Sequence, residues 1–482
     1  MSFGVIQRIL GAVMMLFGVT FVVPALVSLY YADGALPPFL ASFAVIMGVG
    51  FVMWFPARHA HRELQLRDGF IIVALVWVMV GVFGALPFWF STTPQMSFTN
   101  SVFESVSGFT TTGSTVIVGL DSLPRSILYY RQQTHWFGGM GIILLALAIL
   151  PMLGVGGMQL YRAETPGPTK DKITPRVTET AKALWLVYLG ITVACALSFW
   201  AAGMPLFDAI GNSYATVATG GFSMHDASIA YYHSDAIDLI ATFFMLASGV
   251  NFALHFMALR GGNLRLYFKD PEFRGYLYVI GIMIGGITLY LWLRHTYSSL
   301  WDSFIQTAFQ VASMSTSTGF TTASFDQWPG FVPVLLILIG FKGACAGSTT
   351  GGIKSMRIHL MFKEGVRGVK RLIHPSAAVP LKIGQRAVSD RVIEDVLGFF
   401  AIYVLVFVIL FLMLLGTDLD QVSAFSGLAT CMNGVGPGLG KVATNFRSVS
   451  DTAKWVFVAG MLLGRLEIYP LLVLFTPAFW RR

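Results

Sequence analysis

Thr110-Thr111-Thr112-Gly113-Ser114 is the first of four runs of hydroxyl and glycine residues set into apolar sequence. The others are Thr219-Gly220-Gly221-Phe222-Ser223, Thr316-Ser317-Thr318-Gly319-Phe320-Thr321 and Asn433-Gly434-Val435-Gly436-Pro437. Each follows a short amphipathic stretch and precedes a segment of membrane length. The glycines at 113, 221, 319 and 436 are 108, 98 and 117 residues apart, the spacing of divergent quasi-repeats. One such run alone reads as a small-residue patch where helices pack closely. Four in phase with the topology read instead as irregular loops converging on one axis. Non-helical backbone at membrane depth is tolerated only where it lines water or is buried in protein, and a ring of carbonyls can replace the hydration shell of a cation. Glycine fits such a loop because a Cβ makes the required dihedrals costly. The expected ion-binding positions are Thr111, Thr112 and Gly113, Thr219, Gly220 and Gly221, Ser317, Thr318 and Gly319, and Gly434, Val435 and Gly436.

Composition agrees with a membrane setting. The 482 residues are 55% hydrophobic and 12% charged, with mean hydropathy +0.70, against about 25% charged in soluble domains. The apolar run after Arg8 lacks a small-residue cleavage site and reads as a retained first span, not a signal peptide. Candidate spans are 8–30, 37–55, 70–92, 129–152, 182–203, 235–259, 276–293, 331–358, 393–415 and 450–476, each near the ~20 residues a spanning helix needs. The expected fold class is therefore an all-α polytopic membrane protein. It has ten transmembrane helices: two leading helices, then four pseudo-symmetric repeats of span, pore helix, filter loop and span around one pore. The units are residues 1–68 for the leading pair and 69–165, 166–265, 266–372 and 373–482 for the repeats, the third carrying a gate loop. Pore helices are expected over Phe98–Phe109, Pro205–Ala218, Leu300–Ser317 and Asp420–Met432. Asp208, Asp302 and Asp420 lie near their starts, where a carboxylate complements the helix dipole.

Charge gives the orientation. Alternate loops hold 24 and 6 of the Lys and Arg residues, with Lys342 and Arg465 inside spans. The positive-inside rule then puts both termini in the cytoplasm and all four runs in the outer half of the membrane. The minority set comprises Arg125, Arg131, Arg294, Lys441, Arg447 and Lys454. The basic stretch from Lys354 to Arg391 serves orientation and lipid contact, or docks a cytoplasmic partner. Nothing in this charge distribution calls for nucleic acid. Cys195, Cys345 and Cys431 are too dispersed for a metal or redox centre and read as small packed side chains. His135, His225, His255 and His359 are equally scattered, which excludes a membrane-embedded enzyme, and no cofactor is expected in this chain.

The eighth span is interrupted by Gly343-Ala344-Cys345-Ala346-Gly347-Ser348-Thr349-Thr350-Gly351-Gly352, too rich in glycine and hydroxyls for an intact helix. It is either a tight helix crossing or a flexible loop below the four runs. Arg465 reads as lying mid-span, where a guanidinium costs about 2.5–3.5 kcal/mol on insertion scales and must face the protein interior. It pairs with Glu467 or loop carbonyls, or else holds the loop and repels cations. Lys342 has no assigned role.

The strings SVSGFTTTGST at 105–115, HWFGGMGI at 135–142, GVGGMQLYRAETPGP at 154–168, DPEFR at 270–274, CAGSTTGGIK at 345–354, GPGLG at 436–440 and GRLEIYPLLVLFTPAFW at 464–480 resemble the Trk/Ktr/HKT potassium-uptake superfamily. The resemblance runs over essentially the whole chain and is closest to the bacterial TrkH-type subunits. It implies potassium uptake across a bacterial inner membrane, with K+ as the transported ion at the four runs. It further implies a homodimer with one pore per subunit, and control by a cytoplasmic RCK-type nucleotide-binding ring of the TrkA kind. The gate it implies comprises Gly343, Cys345, Gly347, Ser348, Thr349, Thr350, Gly351 and Gly352, with Arg465 as their latch. In related plant transporters a serine at the first filter glycine goes with sodium selectivity, so Gly113 resembles the potassium-preferring version. The fourth run departs from the others at Val435 and Pro437, which points to moderate selectivity. The alternative is a proton- or sodium-coupled potassium symporter. Alternating access usually employs inverted repeats, whereas these four share one orientation.

Overall fold

Short helices with defined ends separate the longer ones. In this computed structural model, residues 3–60, 66–148, 173–375, 379–384 and 386–480 are described. The string 154–168, the boundary at 165/166, the end of the 129–152 span, Arg62, Arg162, Lys170, Lys172, Arg481 and Arg482 lie outside them. The described chain is helical apart from a small antiparallel ribbon, Lys382–Ile383 with Arg386–Ala387.

Among the described residues, six helical stretches have the length and apolarity to cross a membrane: Phe3–Tyr31, Leu36–Ala57, Arg67–Phe90, Glu179–Ala201, Pro271–Leu293 and Asp390–Leu415. They bury one apolar face and expose another. Asp390–Leu415 exposes Val404, Leu405, Val408, Ile409, Leu412 and Met413, an apolar surface that only lipid or another chain can cover. The protein is accordingly a membrane protein with several spanning helices.

Four short helices, Phe98–Phe109, Leu206–Ala218, Leu300–Ser315 and Gln421–Asn433, are enclosed by the long ones. With 12 to 16 residues they fall short of the ~20 needed to span. Their starts are set by caps: Ser97, Ser299 and Asp420 accept from the backbone N–H of Asn100, Asp302 and Ser423, each satisfying a donor that the first turn leaves open. The second helix starts after Pro205 and carries Asp208 in its first turn. Small side chains let these helices pack closely; a Cβ added to Gly108 would lie 2.2 Å from Thr134 Oγ1.

Two spans differ from their expected form, and one arginine from its expected place. Span 235–259 is two helices, Asp235–Ser248 and Phe252–Gly261, bent by 97°. Asn251 caps the second of them, and the Gly249 carbonyl at the corner accepts from Cys345 N at 3.0 Å. Span 450–476 ends as a helix at Arg465, and Glu467 and Ile468 then interrupt it with left-handed φ of 54° and 61°. Arg465 thus terminates a helix instead of lying mid-span. Arg131, counted above with the outer loops, lies within the Arg125–Ala148 helix and is fully buried.

The first helix, Phe3–Val19, crosses Leu36–Ala57 at Gly11 and Gly50. A Cβ on Gly11 would meet Gly50 O and Trp54 N, each at 2.7 Å, whereas one on Gly48 meets nothing within 4 Å. Gly11→Leu is therefore expected to cost about 1–3 kcal/mol through overpacking. It should lower the thermal unfolding midpoint of detergent-purified protein by several degrees, while Gly48→Ala leaves the midpoint unchanged.

Candidate functional site

Each short helix ends in the same backbone motif. Thr111, Thr219, Ser317 and Gly434 adopt φ of 53°, 53°, 53° and 66°, and two residues on Gly113, Gly221, Gly319 and Gly436 adopt 82°, 87°, 82° and 92°. The residues between them, Thr112, Gly220, Thr318 and Val435, keep negative φ. Their N–H groups donate back into the helix, to the carbonyls of Ser107, Ala215, Ser313 and Thr430, at 2.8 Å in all four cases. This is the six-to-one bond of a left-handed helix cap. Dihedrals of alternating hand put successive N–H groups on one side of a segment and leave the carbonyls on the other. The fourth segment keeps the pattern despite Val435 and Pro437.

The four segments close on one another. A Cβ built on Gly113 would lie 2.1 Å from Gly220 O, one on Gly221 2.0 Å from Thr318 O, and one on Gly319 1.9 Å from Val435 O. One on Gly436 would lie 2.8 Å from Thr112 O, which completes the circuit. The residue before each glycine thus presents its carbonyl to the neighbouring segment, and no side chain fits between. All twelve expected ion-binding residues belong to this ring. Among the described residues no cluster of three or more His, Cys, Asp or Glu donors could hold a metal. The oxygens that the ring glycines meet are the backbone carbonyls of Thr112, Gly220, Thr318 and Val435.

The interrupted eighth span lies against the same ring. Its helices are Val332–Lys342 and Ser355–Ile373, and Gly343, Gly347, Gly352 and Lys354 between them have positive φ. Ile353 N donates to Phe341 O and Ser355 N to Ala344 O, each at 2.9 Å, which closes the loop at its base. Ala346 N donates to Glu272 at 2.9 Å, and the Gly347 carbonyl accepts from Phe252 N at 3.1 Å. At its tip, Gly351 N donates to Ser317 Oγ at 2.6 Å, and Thr349 Oγ1 is 3.1 Å from Val217 O and 3.2 Å from Thr219 Oγ1. A Cβ on Gly351 would be 2.0 Å from Asn433 O. Ser348 Oγ bonds Cys345 O at 2.6 Å and Thr350 Oγ1 at 2.8 Å. Arg465 donates to Thr349 O at 3.1 Å and to Gly138 O at 3.0 Å. Glu467 pairs instead with Arg357, at 2.5 Å. Of the residues assigned to the gate, Thr349 and Gly351 touch the ring and Arg465 grips the tip. Gly343 and Cys345 belong to the base, where the Cys345 thiol is buried. Lys342 rests near the Tyr276 ring.

Several contributors have no role assigned from the sequence. Lys354 Nζ binds the Thr350 carbonyl from inside the loop. His135 Nε2 accepts from Phe222 N at 3.1 Å, and its ring fills the space a side chain at Gly220 would need. Glu104 and Arg131 form a fully buried ion pair. The HWFGGMGI string signals only that this helix is unusual.

Beyond the second segment, His225 lies between Asp121 and Asp208, at 3.1 Å from Asp208, and stacks on Tyr231. Asp226 accepts from Gly119 N at 3.0 Å and Leu120 N at 2.8 Å, so the exits of the first two segments are joined.

A sequence profile described as "TrkH: Cation transport protein" matches residues 35–482. The chain is 53% identical over 482 residues to "Trk system potassium uptake protein TrkH" of Salmonella typhimurium and to that of Escherichia coli K12, covering 100% of each chain. It is 39% identical over 480 residues to "Trk system potassium uptake protein TrkG" of E. coli K12, covering 99% of this chain and 98% of that one. The crystal structure of "the Potassium Transporter TrkH from Vibrio parahaemolyticus" superposes with TM-score 0.94 at 50% identity, covering 100% of both chains. An all-helical membrane protein with this ring of loops is a cation transport protein, not an enzyme. The chain belongs to the TrkH family.

Burial alone would lower the pKa of His225, but hydrogen bonds to Asp208 and Asp121 and their charges outweigh it and hold the imidazole above its ordinary value. A raised native pKa stabilises most below the unfolded value of about 6.5 and loses that stabilisation as pH rises through the native one. His225→Asn should therefore lower the melting midpoint more near pH 6 than near pH 9. An equal loss at both pH values refutes the assignment.

Proposed function

We propose that this chain carries potassium across a bacterial inner membrane through a channel-like pore whose selectivity filter is the ring of four backbone segments. In this reading the chain crosses the membrane ten times with both termini cytoplasmic, as a leading pair of helices followed by the four repeats. What supports the filter is the closed circuit of contacts from Gly113 through Gly221 and Gly319 to Gly436. That circuit requires the segments to surround one point. Their amide sides are bonded to the helix ends, so the carbonyls are the groups left to replace the water an ion sheds. The C-terminal ends of the short helices add partial negative charge. The names of the relatives, potassium uptake proteins at 53% identity, support K+ as the ion.

The loop from Gly343 to Gly352 is the gate, and Arg465 is its latch. The latch reading is supported by two carbonyl contacts that tie the loop tip to Gly138, whose Cβ position lies 2.1 Å from Phe109 O at the end of the first short helix. A cytoplasmic nucleotide-binding subunit controls the gate, and two copies of the chain form a dimer. The Ser355–Ile373 helix continues from the loop and bears exposed Phe362, Val366, Val369 and Ile373 beside Lys363 and Lys370. That is apolar and basic surface suited to further subunits.

Two measurements in proteoliposomes test this reading. Gly113→Ser must place a Cβ against Gly220 O at a φ of 82°, so the ring has to widen. The potassium-to-sodium flux ratio should fall by roughly tenfold, equivalent to ~1.4 kcal/mol, and an unchanged ratio refutes the filter. Arg465→Ala leaves the Thr349 carbonyl without its Arg465 donor, at about 1–3 kcal/mol for a buried group, and removes the second contact on the helical Gly138 carbonyl. Partner-independent potassium flux should rise several-fold, and wild-type flux refutes the latch.

A further inference from the structure

In three of the four segments the N–H three residues beyond the ring glycine meets a side-chain acceptor from the preceding short helix. In the first segment Val116 N donates to Glu104 Oε2 at 2.9 Å. In the third, the Gln310 amide faces the N–H groups of Thr322 and Ala323, so its oxygen is assigned to that side, where it accepts from Thr322 N at 2.9 Å. In the fourth, Leu439 N donates to Ser426 Oγ at 2.8 Å. Glu104 and Gln310 hold the same register, nine residues before Gly113 and Gly319, and the matching residues of the other repeats are Asn212 and Gly427. Of these four positions only Glu104 is ionisable.

Gln310 shows that a neutral amide can perform the brace, which makes a buried carboxylate an expensive choice. Desolvating an ion pair costs several kcal/mol per ion, and a buried pair is weak evidence of stabilisation. What the charge adds is Arg131. Its Nη2 lies 2.9 Å from Glu104 Oε1, and both side chains are almost wholly enclosed. The guanidinium donates to Thr115 Oγ1 at 3.2 Å, beyond the first glycine, and to Ser223 O at 3.2 Å, beyond the second. It also covers the Phe222 ring at 4.2 Å, while His135 receives Phe222 N. Thr115 Oγ1 in turn lies 2.9 Å and 3.0 Å from the two Glu104 oxygens. One cation therefore spans the exits of two adjacent segments, on the side where Gly113 meets Gly220.

We propose that the Glu104–Arg131 pair is a positioning device that sets the separation of the first and second segments, and through it the discrimination between potassium and sodium. This rests on the filter reading above. Neither residue touches the ion; both act through the backbone at 113–116 and 221–223.

The test compares potassium, rubidium and sodium fluxes in proteoliposomes for Glu104→Gln, for the Glu104→Gln/Arg131→Gln double variant and for Thr115→Val. The double variant removes both charges yet keeps an acceptor for Val116, and Thr115→Val loosens the hub without exposing a lone buried charge. The expected result is a potassium-to-sodium ratio at least about fivefold below wild type in protein that elutes as the wild-type species and keeps its melting midpoint within a few degrees. A merely structural role predicts the opposite pattern, with reduced yield or melting midpoint and a wild-type ratio in the protein that folds. A ratio within about twofold of wild type for the double variant and Thr115→Val overturns the proposal. If the double variant does not fold, Thr115→Val decides alone. Gly113→Ser measured in parallel separates the two claims. If it lowers the ratio while the hub variants do not, the filter stands and the positioning role falls; if none lowers it, both fall.

Discussion

Four backbones approach one another so closely that a single Cβ at any of four positions would overlap a neighbouring carbonyl oxygen. Everything else in the molecule follows from holding main chain at that separation. Left-handed backbone costs a non-glycine residue roughly 1–2 kcal/mol, and Thr111, Thr219 and Ser317 all accept it. The six-to-one hydrogen bond at each helix end offsets that strain and orients the next residue. Each short helix is thus a backing for its own loop, and the loop's shape is fixed by the helix terminus more than by its side chains. This is why Val435 can stand where Thr112 and Thr318 stand elsewhere.

A ring of this kind needs rigid, close support, and the composition of the interior reflects it. The short helices are lined with Ser101, Ser105, Ser107, Ser213, Thr216, Ser303, Thr307 and Ser313, all wholly buried. Small hydroxyl side chains permit close approach and can return their protons to the preceding turn, as Thr216 does to Asn212 O at 2.6 Å. Large apolar side chains such as Phe103, Phe309 and Leu428 fill the spaces between the short helices and their neighbours, while others on the long helices face outward to lipid.

Local features were legible in the chain, and distant pairings were not. The first short helix, Phe98–Phe109, begins and ends where the sequence places it, because Ser97 caps one end and Thr110 with Thr111 breaks the other. The third runs two residues shorter than expected, since Thr316 and Ser317 already form the cap. The closing of the ring follows from the repeat spacing, but its contact order does not. Glu104 and Arg131 are 27 residues apart on different helices, and no periodicity couples them. Charge counting alone therefore places Arg131 among loop residues. The 97° bend at Gly249 has no local signal for a similar reason, since the Gly249 carbonyl there accepts from Cys345 N, a partner supplied by another span.

The contacts of the interrupted span divide into two groups with different consequences for movement. Those at the base join Ile353 to Phe341 and Ser355 to Ala344, main chain to main chain within one span. Those at the tip join Gly351 to Ser317, Thr349 to the second segment, and Thr349 through Arg465 to Gly138. In the gating role proposed above, clearing a central path breaks the second group and can leave the first intact. Arg465 is the dominant member of that group because it is charged, buried and bonded to two carbonyls at once. It also lies at the C-terminus of its own helix, where the dipole favours a cation. In that proposed role, its withdrawal takes a positive charge away from the ring and frees the loop tip in one step, because one guanidinium holds both carbonyls.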